Sequence, residues 1–311
     1  MFLVILLYAM FASVFTIAKT ALEYSQPFFL VGSRMFVAGI LLLIYQYICH
    51  RKEFVFNKLH FWRIFRLALC SIYLTNVCEF WGLKYLTSFK TCFIYSLSPF
   101  LSALLSYYMF AEKMNSKKWI GLIVGFLGFI PILLNQTLSE EMTGQFLIFS
   151  WAELAVMGAA VFGVYGWILL SQLVKENGYS PLMANGLSMT LGGMMALAHS
   201  YCVENWNPIP VSDMSPFLEC TCLLILISNF ICYNLYGYLL KNYSATFISF
   251  AGFVTPLFAA TFGWFWLGET ITWSFYVSAI IVFIGLLTFY QEELRMRSKD
   301  ELFKEEQIVT S

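Results

Sequence analysis

Five ionisable residues stand inside or at the edges of long apolar runs: Lys19, Arg34, Glu79, Lys90 and Glu153. A charge at the centre of a membrane helix costs about 2.5–3.5 kcal/mol on insertion scales, so it faces a cavity or an opposite charge. A buried carboxylate beside an ammonium and hydroxyls suits a zwitterion, with Lys90 or Lys19 for its carboxylate and Glu79 for its amine. Glu79 is also the candidate carrier of a coupled proton, since protonation of an enclosed carboxylate near a cation responds to what occupies the site. Lys19, Arg34 and Glu153 lie nearer helix ends, where long side chains reach the interface without a partner.

The faces carrying Glu79 and Lys90 are otherwise polar and small. Ser71, Thr75 and Glu79 recur every four residues, and Ser88, Thr91, Tyr95, Ser98 and Ser102 follow the three-and-four spacing of a helix face. Asn229, Tyr233 and Tyr236 form a comparable stripe later in the chain. Trp81, Trp151, Trp167, Tyr95 and Tyr165 could stack on a base or hold an onium group, although Trp and Tyr also gather at membrane interfaces. The expected substrate-contacting set is Lys19, Ser71, Thr75, Glu79, Lys90, Thr91, Tyr95, Ser98, Trp167, Asn229 and Tyr233.

The elements that must position these residues are apolar helices. With 60% apolar and 12% charged residues, the chain lies above the roughly 45–50% and below the roughly 25% usual in soluble domains. Stretches long enough to span a bilayer fall at about 2–22, 27–49, 64–82, 86–110, 118–135, 150–173, 181–203, 217–239, 244–267 and 272–290. The first begins without a basic segment and has no Ala-x-Ala site after it, which reads as a retained helix. The expected fold is all-α and integral to the membrane, with ten transmembrane helices. Eight cysteines without a Cys-x-x-Cys pair read as small packing residues.

Net charge is zero, yet the basic residues take one side. Arg51, Lys52, Lys58, Arg63, Arg66, Lys113, Lys117, Lys118, Lys175, Lys241, Arg295, Arg297, Lys299 and Lys304 fall together, opposite Lys84 and otherwise Glu23, Glu140, Glu141, Glu204, Asp213 and Glu269. By the positive-inside rule both termini are cytoplasmic. The tail 291–311 reads as a short solvated helix on that side.

The chain repeats itself at a pitch of 157 residues: Pro99, Glu112 and Gly128 return as Pro256, Glu269 and Gly285, Ser71 as Ser228, and Lys84 as Lys241. Five spans in 1–137 and five in 149–290 are both odd numbers, so parity makes the two halves antiparallel. Inverted repeats that rock about a central site give alternating access. Pro99 and Pro256, mid-span in both copies, mark candidate hinges where a helix is interrupted beside the substrate. Glu112 and Glu269 read as stabilisers of the N-terminus of the next helix.

Two segments carry a family likeness: 84-KYLTSFKTCFIYSLSPFLSALLSYYMFAEKMNSKKWIGLIVGFLGF-129 and 241-KNYSATFISFAGFVTPLFAATFGWFWLGETITWSFYVSAIIVFIG-285. The order of turn, span with central Pro, Glu, linker and Gly-bearing span resembles the EamA-type domain of the drug/metabolite transporter superfamily, and Arg34 fits the basic residue of its second span. The resemblance implies ten helices in two inverted repeats and a cavity lined by helices 1, 3, 4, 6, 8 and 9. It also implies transport of amino acids, other small metabolites, nucleotide sugars or drugs, with some relatives in intracellular bacteria similar to exchangers of S-adenosylmethionine.

An enzyme is not expected: His50, His60 and His199 are scattered, and neither a nucleotide-hydrolysing Gly-x-x-x-x-Gly-Lys-Ser/Thr loop nor a metal-ligand cluster occurs. Neither cofactor nor nucleic-acid partner is expected. The sequence points to a secondary transporter or exchanger of a small zwitterionic metabolite, an amino acid or a derivative such as S-adenosylmethionine. Its expected setting is a cell membrane, multi-pass, in a bacterial inner membrane, with a proton or counter-substrate as coupling partner. The alternatives are a drug or nucleotide-sugar transporter of the same fold and a receptor or assembly protein without flux.

Overall fold

Apolar runs of this length can satisfy their backbone in hydrocarbon only as helix, and the computed structural model is helical nearly throughout. It describes residues 2–309 apart from 52–53, 55–56, 111–113, 136, 148, 243–247 and 249–250. Lys52, Glu112 and Lys113 lie outside the described residues, as do the side chains of Lys241, Arg297, Lys299 and Lys304.

In chain order the long helices among the described residues are α1 (Phe2–Tyr24), α2 (Pro27–Cys49), α3 (Lys58–Tyr85), α4 (Ser88–Tyr95 continued as Ser98–Phe110), α5 (Ser116–Leu133), α6 (Trp151–Lys175), α7 (Pro181–Val203), α8 (Met214–Leu239), α9 (Gly252–Leu267) and α10 (Trp273–Val309), with a one-turn helix, Leu138–Glu141, between α5 and α6. Among the described residues eight are long and apolar enough to cross a membrane: α1 to α6, α8 and Trp273–Glu292 of α10. Helix α7, of equal length but richer in Ser, Thr, Asn and Gly, falls outside that set, and α9 is shorter. A two-stranded hairpin, β1 (Gln145–Phe146) with β2 (Phe149–Ser150), joins α5 to α6.

The polarity of the bundle is that of a membrane protein. Val37, Ile40, Leu41, Ile44 and Ile48 of α2, Ile120, Ile123 and Leu127 of α5, and Ile280, Phe283 and Ile284 of α10 point outward at helical spacing. Inside are Arg34, Ser71, Thr75, Asn76, Lys90, Glu153 and Asn229. Such an arrangement is stable where lipid replaces water outside and buried polar groups serve a purpose inside.

Helix α2 packs along α7, and α5 along α10; α1 lies against α8 and α9, while α6 lies against α3 and α4. Small residues set the closest approaches. A Cβ built on Gly285 would meet the Gly125 nitrogen at 2.5 Å and the Gly121 carbonyl oxygen at 2.8 Å. The glycines of α5 therefore serve a contact inside this chain, and α10 packs closely despite having Ser278 and Val282 at the positions equivalent to Gly121 and Gly125.

Two irregularities occur at matching places in the two halves. Helix α3 carries a π-helical stretch at Ala68–Leu74 and α8 one at Ile225–Cys232. Each is steadied by an asparagine amide reaching back: Asn76 Nδ2 donates to the Ser71 and Ile72 carbonyls at 3.3 and 2.9 Å, Asn234 Nδ2 to those of Asn229 and Phe230 at 3.1 and 2.8 Å. π-turns of this kind frequently mark functional sites.

The second irregularity is at the prolines. Helix α4 stops at Tyr95 and resumes at Ser98, so Pro99 sits in the first turn of a new helical segment. In α9 a 3-10 turn, Gly252–Val254, precedes Thr255–Phe262, and Pro256 holds the same first-turn position. First-turn proline needs no N–H partner. Ser98 Oγ donates to the Tyr95 carbonyl at 2.6 Å and Thr255 Oγ1 to the Gly252 carbonyl at 2.6 Å, one device at positions 157 apart.

Candidate functional site

The five charges divide into two groups by their partners. Lys19 donates to the carbonyls of Leu83, Lys84 and Leu86 at 2.8, 3.1 and 2.7 Å, closing the C-terminus of α3 with all three of its protons. Lys90 is buried against two carboxylates, Glu140 Oε2 at 2.5 Å and Glu153 Oε1 at 2.8 Å, and also donates to the Asn135 carbonyl at 3.2 Å. Glu153 in turn forms a capping box with Ser150 at the start of α6. The structure thus gives Lys19 and Lys90 partners within the fold instead of bringing either to Glu79, as the zwitterion reading expected.

Other carboxylates close helix N-termini across the two halves. Glu269 accepts from the Ser88 amide at 2.7 Å and the Ser88 hydroxyl at 2.6 Å, capping α4. The expectation that Glu269 serves the helix following it is corrected: the helix it serves belongs to the other half. Glu204 does the same for α2, accepting from the Phe28 and Phe29 amides at 2.7 and 2.9 Å.

Glu140 lies in the α5–α6 connection, with Thr137 Oγ1 donating to it at 3.0 Å. Burial pushes its carboxyl up; the Lys90 ammonium and the Thr137 hydroxyl pull it back, and the second carboxylate, Glu153, adds to the rise. A carboxyl raised in the folded state stabilises fully below its ordinary value and loses that contribution as pH climbs through the raised one. The melting temperature in detergent is therefore expected to fall with rising pH from the ordinary carboxylate range upward, and Glu140→Gln to flatten that slope. An unchanged slope in the variant would remove Glu140 as its source.

The second group is Arg34 and Glu79. Glu79 on α3 is enclosed by protein yet keeps accessible surface, and it interacts electrostatically with Arg34 of α2, Cys92 and Tyr95 of α4, and Tyr233 of α8. Among the described residues no hydrogen bond or salt bridge engages its carboxylate. Around it lie aromatic faces: Trp167 of α6 stacks on Tyr236 with centroids 4.0 Å apart and meets Tyr233 at 5.3 Å, while Tyr95 meets Phe15 edge-on at 6.2 Å. Gly163 admits the Tyr95 hydroxyl to the surface of α6.

Of the expected set, Glu79, Tyr95, Trp167 and Tyr233 meet in this region. Thr75, Thr91 and Ser98 donate their hydroxyls to backbone carbonyls of their own helices, and Ser71 packs on Gly166. Asn229 is buried with its amide against the sulfurs of Met35 and Met189, at 2.9 and 3.7 Å, between α2 and α7. Asn76 is an addition: its amide lies 3.4 Å from the Tyr233 hydroxyl, and the two stand 157 residues apart. The repeat register is the signal that could have found it.

Comparison with known proteins gives the family. The model of the EamA-like transporter family matches residues 1–134 and 150–291. The S-adenosylmethionine/S-adenosylhomocysteine transporter of Chlamydia muridarum is 37% identical over 298 residues, 94% of this chain and 92% of that protein. The transporter of the same description from Chlamydia trachomatis serovar L2 is 36% identical over 295 residues, covering 94% and 90%. A protein of known crystal structure superposes with a TM-score of 0.65 at 14% identity, covering 95% of this chain and 96% of that one, a likeness of fold alone.

Proposed function

We propose, from the premise that this chain belongs to the EamA-like transporter family, that it exchanges S-adenosylmethionine for S-adenosylhomocysteine by alternating access. One observation carries this reading: the enclosed, accessible Glu79 carboxylate without a protein partner among the described residues, set among Tyr95, Trp167, Tyr233 and Tyr236. S-adenosylmethionine joins an α-ammonium, a sulfonium and a purine, and S-adenosylhomocysteine keeps the ammonium and the purine about a neutral thioether. Glu79 suits the ammonium, and the electron-rich ring faces suit the sulfonium and the base. The substrate named for the chlamydial relatives has this chemistry.

The mechanism is that of ten helices in two inverted repeats, 1–137 and 149–290, with cytoplasmic termini, the tail 291–311 on that side, in a bacterial inner membrane. The packing supports it: exchanging the halves turns the α1–α8 and α1–α9 contacts into α6–α3 and α6–α4, and maps α2–α7 and α5–α10 on themselves. The paired π-turns and first-turn prolines follow the same exchange. Pro99 and Pro256 are the hinges about which the broken helices α4 and α9 change angle. A nucleotide-sugar cargo fits less well, because two phosphates call for several free cations and Lys19 and Lys90 are already engaged.

Counterflow in proteoliposomes tests the reading. Vesicles preloaded with unlabelled S-adenosylhomocysteine should accumulate labelled S-adenosylmethionine above its equilibrium level, and preloaded S-adenosylmethionine should do likewise. Accumulation driven only by nucleotide sugars or drugs would replace this substrate; binding without counterflow would favour a receptor.

A further inference from the structure

We propose that Arg34 binds the substrate's carboxylate, so that Arg34 and Glu79 together select an α-amino-acid end. This rests on the exchange reading above and deepens it. Arg34 is only 1% exposed, stacks its guanidinium 4.3 Å above the Phe80 ring and donates one hydrogen bond, from Nη2 to Asn76 Oδ1 at 2.7 Å. Among the described residues its Nε and Nη1 have no hydrogen-bond partner. A buried guanidinium with unmade donors is unfavourable by itself, and a charge kept at such a place marks function.

Its neighbour of opposite sign is Glu79, with which it interacts without forming a salt bridge. Two opposed, unpaired charges in one enclosure are complementary to the ammonium and carboxylate of one amino acid. The rival cations do not compete for the role, since Lys19 and Lys90 already have protein partners.

The surroundings aim Arg34. The π-turn of α3 frees carbonyls that hold the Asn76 amide, and the Asn76 oxygen holds the guanidinium. The same amide reaches across to Tyr233 of the second half over 3.4 Å. Rocking of the halves parts that long contact and uncovers the free donors of Arg34.

The test uses competition against labelled S-adenosylmethionine counterflow in proteoliposomes. Against the wild type, S-adenosylhomocysteine should compete well, and decarboxylated S-adenosylmethionine at least about tenfold more weakly, the value of one charge-assisted hydrogen bond. Losing the carboxylate leaves that analogue more cationic, so attraction to Glu79 alone predicts the reverse order. Arg34→Gln should weaken S-adenosylmethionine by about the same factor and erase the difference between the two compounds, and Arg34→Lys should restore part of it. Equal competition by the decarboxylated compound in the wild type overturns the inference and leaves the exchange reading intact. An equal loss for every substrate in a folded Arg34→Gln also overturns it. Should that variant not fold, the wild-type comparison decides. Failure of S-adenosylmethionine counterflow in the wild type removes the exchange reading and this inference with it.

Discussion

Glu79→Gln should reduce exchange of S-adenosylmethionine and S-adenosylhomocysteine together by a factor of about 30 or more, while the protein folds as before. The magnitude follows from the truncation of one partner of an enclosed charged contact, which costs about 2–5 kcal/mol. The wild-type carboxylate has no protein hydrogen bond to lose among the described residues, and it holds accessible surface inside the bundle. Replacing it by the isosteric amide therefore removes the charge offered to the substrate without opening a cavity or breaking a protein hydrogen bond. The thermal midpoint in detergent should stay within a few degrees of the wild type, since the change alters no packing volume and breaks no protein hydrogen bond among the described residues. Counterflow at graded substrate concentrations measures the effect. Wild-type rates in the folded variant would show that Glu79 does not touch the substrate, and a collapse of the melting temperature would show it to be a structural residue.

This prediction depends on a distinction that the sequence only half displays. Helix positions were legible because apolar runs in hydrocarbon have one secondary structure available: 27–49 and 181–203 match α2 and α7 to the residue, and 2–22 and 150–173 differ from α1 and α6 by one or two. The helix irregularities were not. A π-turn such as Ala68–Leu74 arises from how carbonyls are shared among neighbours, and no residue pattern in ALCSIYL announces it. Proline located the interruptions of α4 and α9, but in α4 the chain breaks before it, at 96–97, because Pro99 has no N–H for the Tyr95 carbonyl and its ring crowds that carbonyl.

Side-chain partners were legible only when they lay on one helix. Glu79 stood out because its own face, with Ser71 and Thr75, was polar. Lys90 stood out equally, yet its partners come from a connection and a helix start 50 and 63 residues away, which no periodicity reveals. Arg34 is buried rather than interfacial, since distance from a helix end measures position along the axis and says nothing of what packs over it. Here Phe80 and Asn76 close over the guanidinium.

Lys90→Met is expected to act on stability, with a loss of about 3–5 kcal/mol, because it leaves the carboxylates of Glu140 and Glu153 buried without their cation. Both side chains are 0% exposed and the lysine 4%, so water cannot take the place of the ammonium. The cluster joins α4, the α5–α6 connection and the start of α6, hence the damage should spread to the Asn135 carbonyl contact and the hairpin beside it. A melting temperature lowered by several degrees, with transport reduced in proportion to folded protein and KM unchanged, is the expected result. Neutralising the partners as well, in Lys90→Met combined with Glu140→Gln and Glu153→Gln, should recover much of the loss, since a buried network made wholly neutral no longer holds an uncompensated charge. Glutamine at position 153 also keeps the capping box available. If Lys90 instead served as the substrate's anion site, the single change would leave the melting temperature alone and raise KM, and the triple variant would bring no rescue. The two readings therefore differ in which quantity moves, stability or affinity, and one pair of proteins separates them.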